Sequence, residues 1–143
     1  MLYLCKRLSD KTVFQFNGKR VVFVSDKSEF EAIFKENITR EGADRLLEWL
    51  QKTDFFLAPA STRYHNAFEG GLVKHSVNVY KALMKHFEPE VDNKESFAIC
   101  ALLHDVCKAQ FYKVSCRNVK DPVTGRWEPQ PYYTIEDEFP FGH

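Results

Sequence analysis

The feature that most constrains the fold of this chain is an uninterrupted apolar run that ends in two ionisable residues. The run covers residues 97–103, and His104 and Asp105 follow it directly. A His-Asp pair at the end of a buried helical stretch is costly in free energy unless the two side chains are paired or bound to something. Imidazole and carboxylate groups both bind divalent metals. The pattern therefore predicts a buried helix over residues 95–108 that carries a candidate metal site.

A metal held by His104 and Asp105 needs a further ligand from a second element. Adjacent residues of a helix point about 100° apart, so a metal held by both would lie beside the helix axis. His75 is the obvious donor, because it lies on the preceding predicted helix, residues 72–87, which Pro89 ends. Two antiparallel helices would bring His75 opposite His104. Taken singly, His75 is more often a satisfied helix histidine, and a lone His-Asp pair is more often a cap or a surface feature.

Lys108 adds a cation one helical turn beyond the predicted pair. It stands four residues after His104 and so shares that face of the predicted helix. An ammonium group in this position is well placed to bind a phosphate oxygen. The alternative is a lysine that only interacts favourably with the C-terminal end of the helix dipole, and the two interpretations stay open at this point.

Strand signals lie at both ends of the sequence. Asn17-Gly18 is a strong two-residue turn signal between segments rich in β-branched and aromatic residues. A second pair of such segments flanks a turn around residues 121–125. The predicted strand segments are residues 12–16 and 19–24 in the first hairpin, and residues 111–115 and 131–135 in the second.

Helix-start signals lie between the two hairpins. Ser28 begins a capping-box pattern and predicts the start of a short helix. Thr39 is the predicted cap of a second helix that stops near Thr53. Residues 54–71 combine turn-forming residues with several aromatic ones. This composition predicts a structured connection to the helix that carries His75.

Charge and cysteine content exclude several classes of protein. The 143 residues contain 20 Lys and Arg against 20 Asp and Glu, so the chain lacks the net basic charge typical of nucleic-acid-binding proteins. The longest apolar run is far shorter than the roughly 20 residues that cross a bilayer, and the first residues lack a signal-peptide core. Four cysteines in no C-x-x-C spacing predict free thiols, buried at Cys100 and Cys107. We therefore expect a cytoplasmic protein.

Two motifs, in order along the chain, resemble those of the HD-domain metal-dependent phosphohydrolases. The first is GGLVKHS at residues 70–76, and the second is ALLHDVCK at residues 101–108. Their histidines, His75 and His104, are 29 positions apart, which suits the family's pattern of a first His, a His-Asp doublet and a distant Asp. The Tyr-His-Asn stretch at residues 64–66 is similar to a Tyr-His-His stretch in a subgroup that includes HD-type exoribonucleases. The resemblance covers about a third of the chain.

The resemblance implies roles for individual residues. His75, His104 and Asp105 would be metal ligands, and Lys108 would contact a substrate phosphate or support the metal site. His104, Asp105 and Lys108 form the implied catalytic group, and His65 is an implied substrate contact. The metal would be a divalent ion, with no choice among manganese, magnesium, iron, nickel and zinc. Such an ion lowers the pKa of its bound water toward neutrality, which suits attack on phosphorus.

The family's last ligand is an Asp on a later helix, and this chain departs from that pattern. The acidic residues after Lys108 fall in the predicted C-terminal hairpin or just beyond it, and no apolar helical segment follows them. These residues are Asp121, Glu128, Glu136, Asp137 and Glu138. We therefore expect a chain that is cut, or naturally shortened, before the last ligand. His143 is then either an additional metal ligand whose helix is missing or a mobile terminal residue.

The sequence as a whole predicts a mainly α-helical (α+β) single domain over residues 1–143. Its expected parts are a hairpin and short helix at 1–38, an HD-like helical core at 39–110, and a β-hairpin and tail at 111–143. The predicted function is metal-dependent hydrolysis of a phosphoester, in a nucleotide, another phosphorylated small molecule or a nucleic acid. Nucleic acid stays open as a substrate, no membrane partner is expected, and the oligomeric state stays open.

The alternative function is a non-catalytic HD-like regulatory module. Such a module would keep the helical scaffold but have an incomplete metal site, and it would bind a nucleotide or a partner protein.

Overall fold

The computed structural model describes residues 6–8, 11–16 and 19–136, with side chains from residue 25 onward. In the described chain, small antiparallel sheets precede and follow four helices. The strands are β1 (Lys6–Leu8), β2 (Lys11–Phe16), β3 (Lys19–Val24), β4 (Tyr112–Lys120) and β5 (Trp127–Ile135). The helices are α1 (Asp26–Asn37), α2 (Ala43–Lys52), α3 (Gly71–Leu83) and α4 (Lys94–Leu103). The predicted class, mainly α with a C-terminal hairpin, is confirmed.

The first sheet contains the predicted N-terminal strands. β2 and β3 pair antiparallel with Val13 opposite Val22, and β1 adds a third strand along β2. The Asn17-Gly18 turn lies outside the described residues.

The second sheet is a two-stranded hairpin whose strands are longer than predicted. β4 and β5 pair from Tyr112 opposite Ile135 to Lys120 opposite Trp127. The turn lies where the sequence predicts it, because the Asp121 carboxylate accepts hydrogen bonds from the N–H groups two and three residues later, at 2.7 and 2.8 Å.

The first two helices begin at residues other than those predicted. Ser25, not Ser28, caps α1: its Oγ accepts from the Ser28 N–H at 3.2 Å, which places Ser28 in the first turn. Gly42, not Thr39, precedes α2 and takes a left-handed conformation with φ of 89°. The N–H of Thr39 instead donates to Glu95 Oε1 at 2.7 Å. A backbone contact with so distant a residue leaves no local sequence signal.

The apolar core lies where helices α1 to α4 meet residues 53–70, the connector between α2 and α3. Three phenylalanines form its centre, with ring centroids 5.2 Å apart for Phe30 and Phe55, 5.5 Å for Phe30 and Phe56, and 5.3 Å for Phe55 and Phe56. Phe30 and Phe55 are fully buried. Edge-to-face contacts of this kind add to the free energy gained by burying the rings. The predicted structured connection is therefore part of the core.

α3 and α4 pack against each other, and both are shorter than predicted. α3 gives way to a 3-10 turn, Met84–His86, and α4 is capped by Asn93, whose Oδ1 accepts from the Ser96 N–H at 2.8 Å. The prediction of one helix over 95–108 is wrong, because α4 ends at Leu103 and a separate 3-10 turn, Val106–Lys108, follows.

A side-chain hydrogen bond explains where α4 ends. Nδ1 of His104 lies 2.9 Å from the carbonyl oxygen of Ala101, and a carbonyl oxygen only accepts, so Nδ1 carries the proton. This carbonyl is the acceptor that the Asp105 N–H would use in a continuing helix. Asp105 instead leaves the helical region, with φ of −106° and ψ of 18°.

Two further expectations concern cysteines and membranes. Cys100 and Cys107 are free, but both are exposed, so their predicted burial is wrong. Cys100 lies on the face of α4 opposite the buried Ala98 and Leu102, and Cys107 lies in the 3-10 turn. None of the described helices combines the length and the apolarity that crossing a membrane requires.

Candidate metal centre

Two adjacent glycines set the approach of α3 to the connector. Gly70 has a φ of 78°, a conformation that glycine adopts without steric cost. A Cβ on Gly71 would overlap the carbonyl oxygen of Asn66 and lie 2.9 Å from its carbon. The Gly-Gly pair of the sequence motif therefore allows helix and connector backbones to touch, and His75 follows one helical turn later.

His75, His104 and Asp105 converge on one point, as the sequence predicts. The Nε2 atoms of His75 and His104 are 3.1 Å apart. Oδ2 of Asp105 lies 3.4 Å from each of these nitrogens. Because α4 ends at Leu103, His104 and Asp105 are not spread around a helix and can both face His75.

The three converging atoms form an electron-rich triangle. Nδ1 of His104 carries its proton toward Ala101, so a neutral His104 presents an unprotonated Nε2 to the other two side chains. The Asp105 carboxylate is also an acceptor. At least one proton or cation must therefore lie among the three atoms to offset their mutual repulsion.

The dimensions of the triangle suit a divalent metal. A metal about 2.1 Å from two ligand atoms separates them by about 3.0 Å at a 90° angle and by about 3.4 Å at the tetrahedral angle. The three observed separations, 3.1, 3.4 and 3.4 Å, lie in that interval. Two imidazoles and one carboxylate are a donor set that divalent first-row metals bind. These three residues could therefore hold a metal ion.

Lys108 supports Asp105 from inside the protein. Its side chain is 7% exposed, and Nζ donates to Asp105 Oδ2 at 2.9 Å and to the carbonyl oxygen of Ala60 at 3.1 Å. The ammonium group thus binds the same carboxylate oxygen that faces the two histidines, and it balances the charge of that carboxylate. The lysine belongs to a 3-10 turn after α4 and not to the helix itself, and its contact with Asp105 is compatible with the supporting role that the HD resemblance implies.

Burial and neighbouring charges favour the protonation states that bind metal. Burial lowers the pKa of His75 below the usual value, against an opposing effect of the Asp105 carboxylate. Burial alone would raise the pKa of Asp105, but the hydrogen bond and charge of Lys108, together with the charges of His104 and His75, outweigh it, and the pKa is lowered. A neutral imidazole and an ionised carboxylate are the ligand forms that a metal needs.

The connector and the C-terminal hairpin meet at a residue that the sequence does not mark. The carbonyl oxygen of Ala60, which binds Lys108, also accepts from the Tyr112 hydroxyl at 3.2 Å. Burial and the charge of Asp105 raise the pKa of Tyr112, so the phenol stays a donor. Neither residue stands in a recognisable motif, and their contact spans 52 positions of sequence.

The other residues named from the sequence lie in different places. The exposed His65 ring lies beside the cluster, its centroid 4.9 Å from that of His75. His143 lies outside the described residues. Asp121 closes the distant hairpin turn, and Glu136 pairs with Lys113 at 3.6 Å. Among the described residues, the group able to hold a metal therefore has three members.

Comparisons with known proteins add no family assignment. No protein-family model, curated protein or solved structure matches this chain.

Proposed function

We propose that this protein is a divalent-metal-dependent phosphoester hydrolase of the HD type, acting on a nucleotide or a related phosphorylated compound. The observation that carries the proposal is the convergence of His75, His104 and Asp105 at separations of 3.1 to 3.4 Å. The three residues coincide with the metal ligands that the HD resemblance implies.

Each residue of the cluster has its own proposed role. A bound divalent ion would polarise a phosphoryl oxygen and supply a water of lowered pKa. His75, His104 and Asp105 would hold that ion, and Lys108 would keep Asp105 ionised and oriented. His65, whose exposed ring lies beside that of His75, would contact the substrate. Lys108 would act on a phosphate through the field of its charge, because its ammonium group is already bound to protein oxygens.

The location we propose is the cytoplasm. Cys100, Cys107 and Cys116 are free and exposed, and exposed thiols persist where the environment is reducing.

A second candidate function is a regulatory module that binds a nucleotide without hydrolysing it. The observation that favours this alternative is the three-membered ligand set among residues 25–136, which lacks the final carboxylate of the HD pattern. The same gap can also serve catalysis, since a catalytic metal site keeps positions open for water and substrate.

The activity test uses the full chain with bis-p-nitrophenyl phosphate and added Mn²⁺. We expect hydrolysis that EDTA abolishes and that His104→Ala reduces to background. His86→Ala is the matched control, because His86 is exposed in the 3-10 turn after α3, outside the cluster. We expect that variant to retain full activity.

Two results would overturn the catalytic proposal. One is the absence of hydrolysis with every divalent ion among manganese, magnesium, iron, nickel and zinc. The other is hydrolysis that His104→Ala leaves unchanged, which would place the reaction elsewhere or assign it to a contaminant.

A further inference from the structure

A cleft of about 420 Å³ lies between the connector and the C-terminal hairpin. This volume is within the range of about 300–1,000 Å³ that small-molecule sites occupy. None of its lining residues is charged, and three of them carry a hydroxyl group. They are Thr62, Ala67, Val114, Pro131, Tyr132 and Tyr133.

The hairpin wall of this cleft is continuous with the candidate metal centre. Val114 stands two residues after Tyr112 on β4, so the two share a face of the strand. Tyr133 is directly opposite Val114 on β5. The Tyr112 hydroxyl and the Lys108 ammonium group bind the same carbonyl oxygen, that of Ala60. One face of the hairpin therefore carries both a wall of the cleft and Tyr112, which shares the Ala60 carbonyl oxygen with Lys108.

The connector wall is also continuous with the centre. Thr62 and Ala67 line the cleft, and His65 lies between them in sequence. The His65 ring is 4.9 Å, centroid to centroid, from that of His75. A ligand in the cleft would thus lie across a short loop from the metal ligands.

The chemistry of the lining selects among possible occupants. A phosphate group finds no cation among the residues that line the cleft, and an aliphatic chain would leave the hydroxyl groups of Thr62 and Tyr133 without new partners. A heterocyclic base has a flat face for stacking on tyrosine and an edge of donors and acceptors for hydroxyl groups. Tyr133 is the tyrosine available for stacking, because the Tyr132 side chain alternates to the other face of the hairpin, where Arg117 lies 5.4 Å from its ring centroid.

We propose that this cleft binds the base of a nucleotide whose phosphate lies at the candidate metal centre. The inference rests on the proposed function for the position of the phosphate, and it narrows the substrate class to nucleoside phosphates. The base would thereby bind in an uncharged cleft, and the phosphate would bind at the adjacent candidate metal centre.

The binding test compares ligands that differ only in the base. Isothermal titration calorimetry of the full chain in EDTA would use AMP, GMP, CMP and UMP against ribose 5-phosphate. We expect at least one nucleotide to bind about tenfold more tightly than ribose 5-phosphate, as stacking on an aromatic side chain provides. Tyr133→Ala should remove this difference, whereas Tyr133→Phe should keep most of it.

Two further variants guard against loss of folding. Val114→Trp, at an exposed strand position, should fill the cleft and abolish the preference for the nucleotide. Trp127→Ala, on the same strand as Tyr133 but at the far end of the hairpin, should leave the preference unchanged. Equal binding of all four nucleotides and ribose 5-phosphate would overturn the inference. So would a preference that Val114→Trp and Tyr133→Ala both leave intact.

A kinetic pair separates this inference from the proposed function. Thymidine 5′-(p-nitrophenyl phosphate) and methyl p-nitrophenyl phosphate share a leaving group, and only the first has a base. Base-dependent binding without hydrolysis of either ester would contradict the proposed catalytic function, and it would still support the cleft as a base-binding site. Equal kcat/KM on the two esters, without base-dependent binding, would support the proposed catalytic function and contradict the cleft as a base-binding site.

Discussion

Helices α3 and α4 take part in two regions of opposite character. In the first, Leu72 and Val77 of α3 and Leu102 of α4 lie in a core that includes the phenylalanine cluster. In the second, His75 of α3 meets His104 at the end of α4, with nitrogen atoms 3.1 Å apart. The same two helices therefore build a dry apolar centre and a polar cluster.

The two regions differ in what they require of their side chains. Apolar burial is nondirectional, so the core needs matching volumes more than fixed angles. The polar cluster needs defined atoms at defined distances, and the Lys108 ammonium group offsets the cost of burying its carboxylate. Burial of apolar surface accounts for the core but does not account for the convergence of the two histidines on Asp105.

The largest expected effect is on the core. Phe55→Ala should lower the free energy of unfolding by about 3–5 kcal/mol, because Phe55 is fully buried between Phe30 and Phe56. Urea denaturation measures this change. The control is Leu57→Ala, two residues away and 59% exposed, which should cost less than about 1 kcal/mol. Similar losses for the two variants would contradict the assignment of the core.

A smaller effect is expected where the core meets the cluster. Gly71→Ala should cost about 1–3 kcal/mol, since its Cβ would force the connector away from α3. It should also weaken Mn²⁺ binding, because His75 follows on the same helix. Gly125→Ala in the distant hairpin strains a φ of 71° and should leave Mn²⁺ affinity unchanged. Unaltered metal affinity in Gly71→Ala would show that this close approach does not position His75.

Within the cluster, Lys108→Met tests the balance of charge. It leaves the Asp105 carboxylate buried without its ammonium partner, which should cost about 1–3 kcal/mol of stability without metal. Mn²⁺ should then raise the thermal midpoint of Lys108→Met more than that of the wild type, because the cation replaces the lost charge. An equal or smaller Mn²⁺ shift in the variant would argue against a metal beside Asp105.

The smallest expected effect is a pH dependence of stability. The folded-state pKa of His75 lies below the usual 6.5, so the unfolded chain binds more protons in the interval between the two values. The stability from neutral His75 is complete above pH 6.5 and is lost as the pH falls through the folded-state pKa. Urea unfolding in EDTA at pH 7.5, 6.5 and 5.5 should show a shallower decline for His75→Gln. Parallel curves would refute this role of His75.

Periodic patterns allowed much of the fold to be predicted. The apolar period located the helices, and strand signals located both hairpins, because those patterns reflect contacts between near neighbours. The pairing of His75 with His104 was also predictable, since two helices joined by a short connection are neighbours in space. The Gly70-Gly71 signal found its physical explanation in the contact with Asn66.

The missed features depend on contacts between distant residues. The N–H group of Thr39 is bound by Glu95, 56 positions away. The end of α4 is a local exception, because it depends on the rotamer of His104 and its bond to the Ala101 carbonyl three residues earlier. The burial of Lys108 depends on the Ala60 carbonyl, 48 positions earlier. No local pattern encodes the distant partners, so the sequence indicated the three converging residues, and the HD resemblance a supporting role for Lys108, but not the Ala60 carbonyl that binds it.

The most direct test of the central claim is a Mn²⁺ titration of the full chain followed by electron paramagnetic resonance of the free ion. The account predicts about one bound Mn²⁺ per chain, and an affinity that falls by about 100-fold or more in His75→Ala, since even residues that only support a ligand contribute about 10–100-fold. His86→Ala should bind as the wild type does. No bound Mn²⁺, or equal affinity in the wild type and His75→Ala, would contradict the claim that His75, His104 and Asp105 form a metal site.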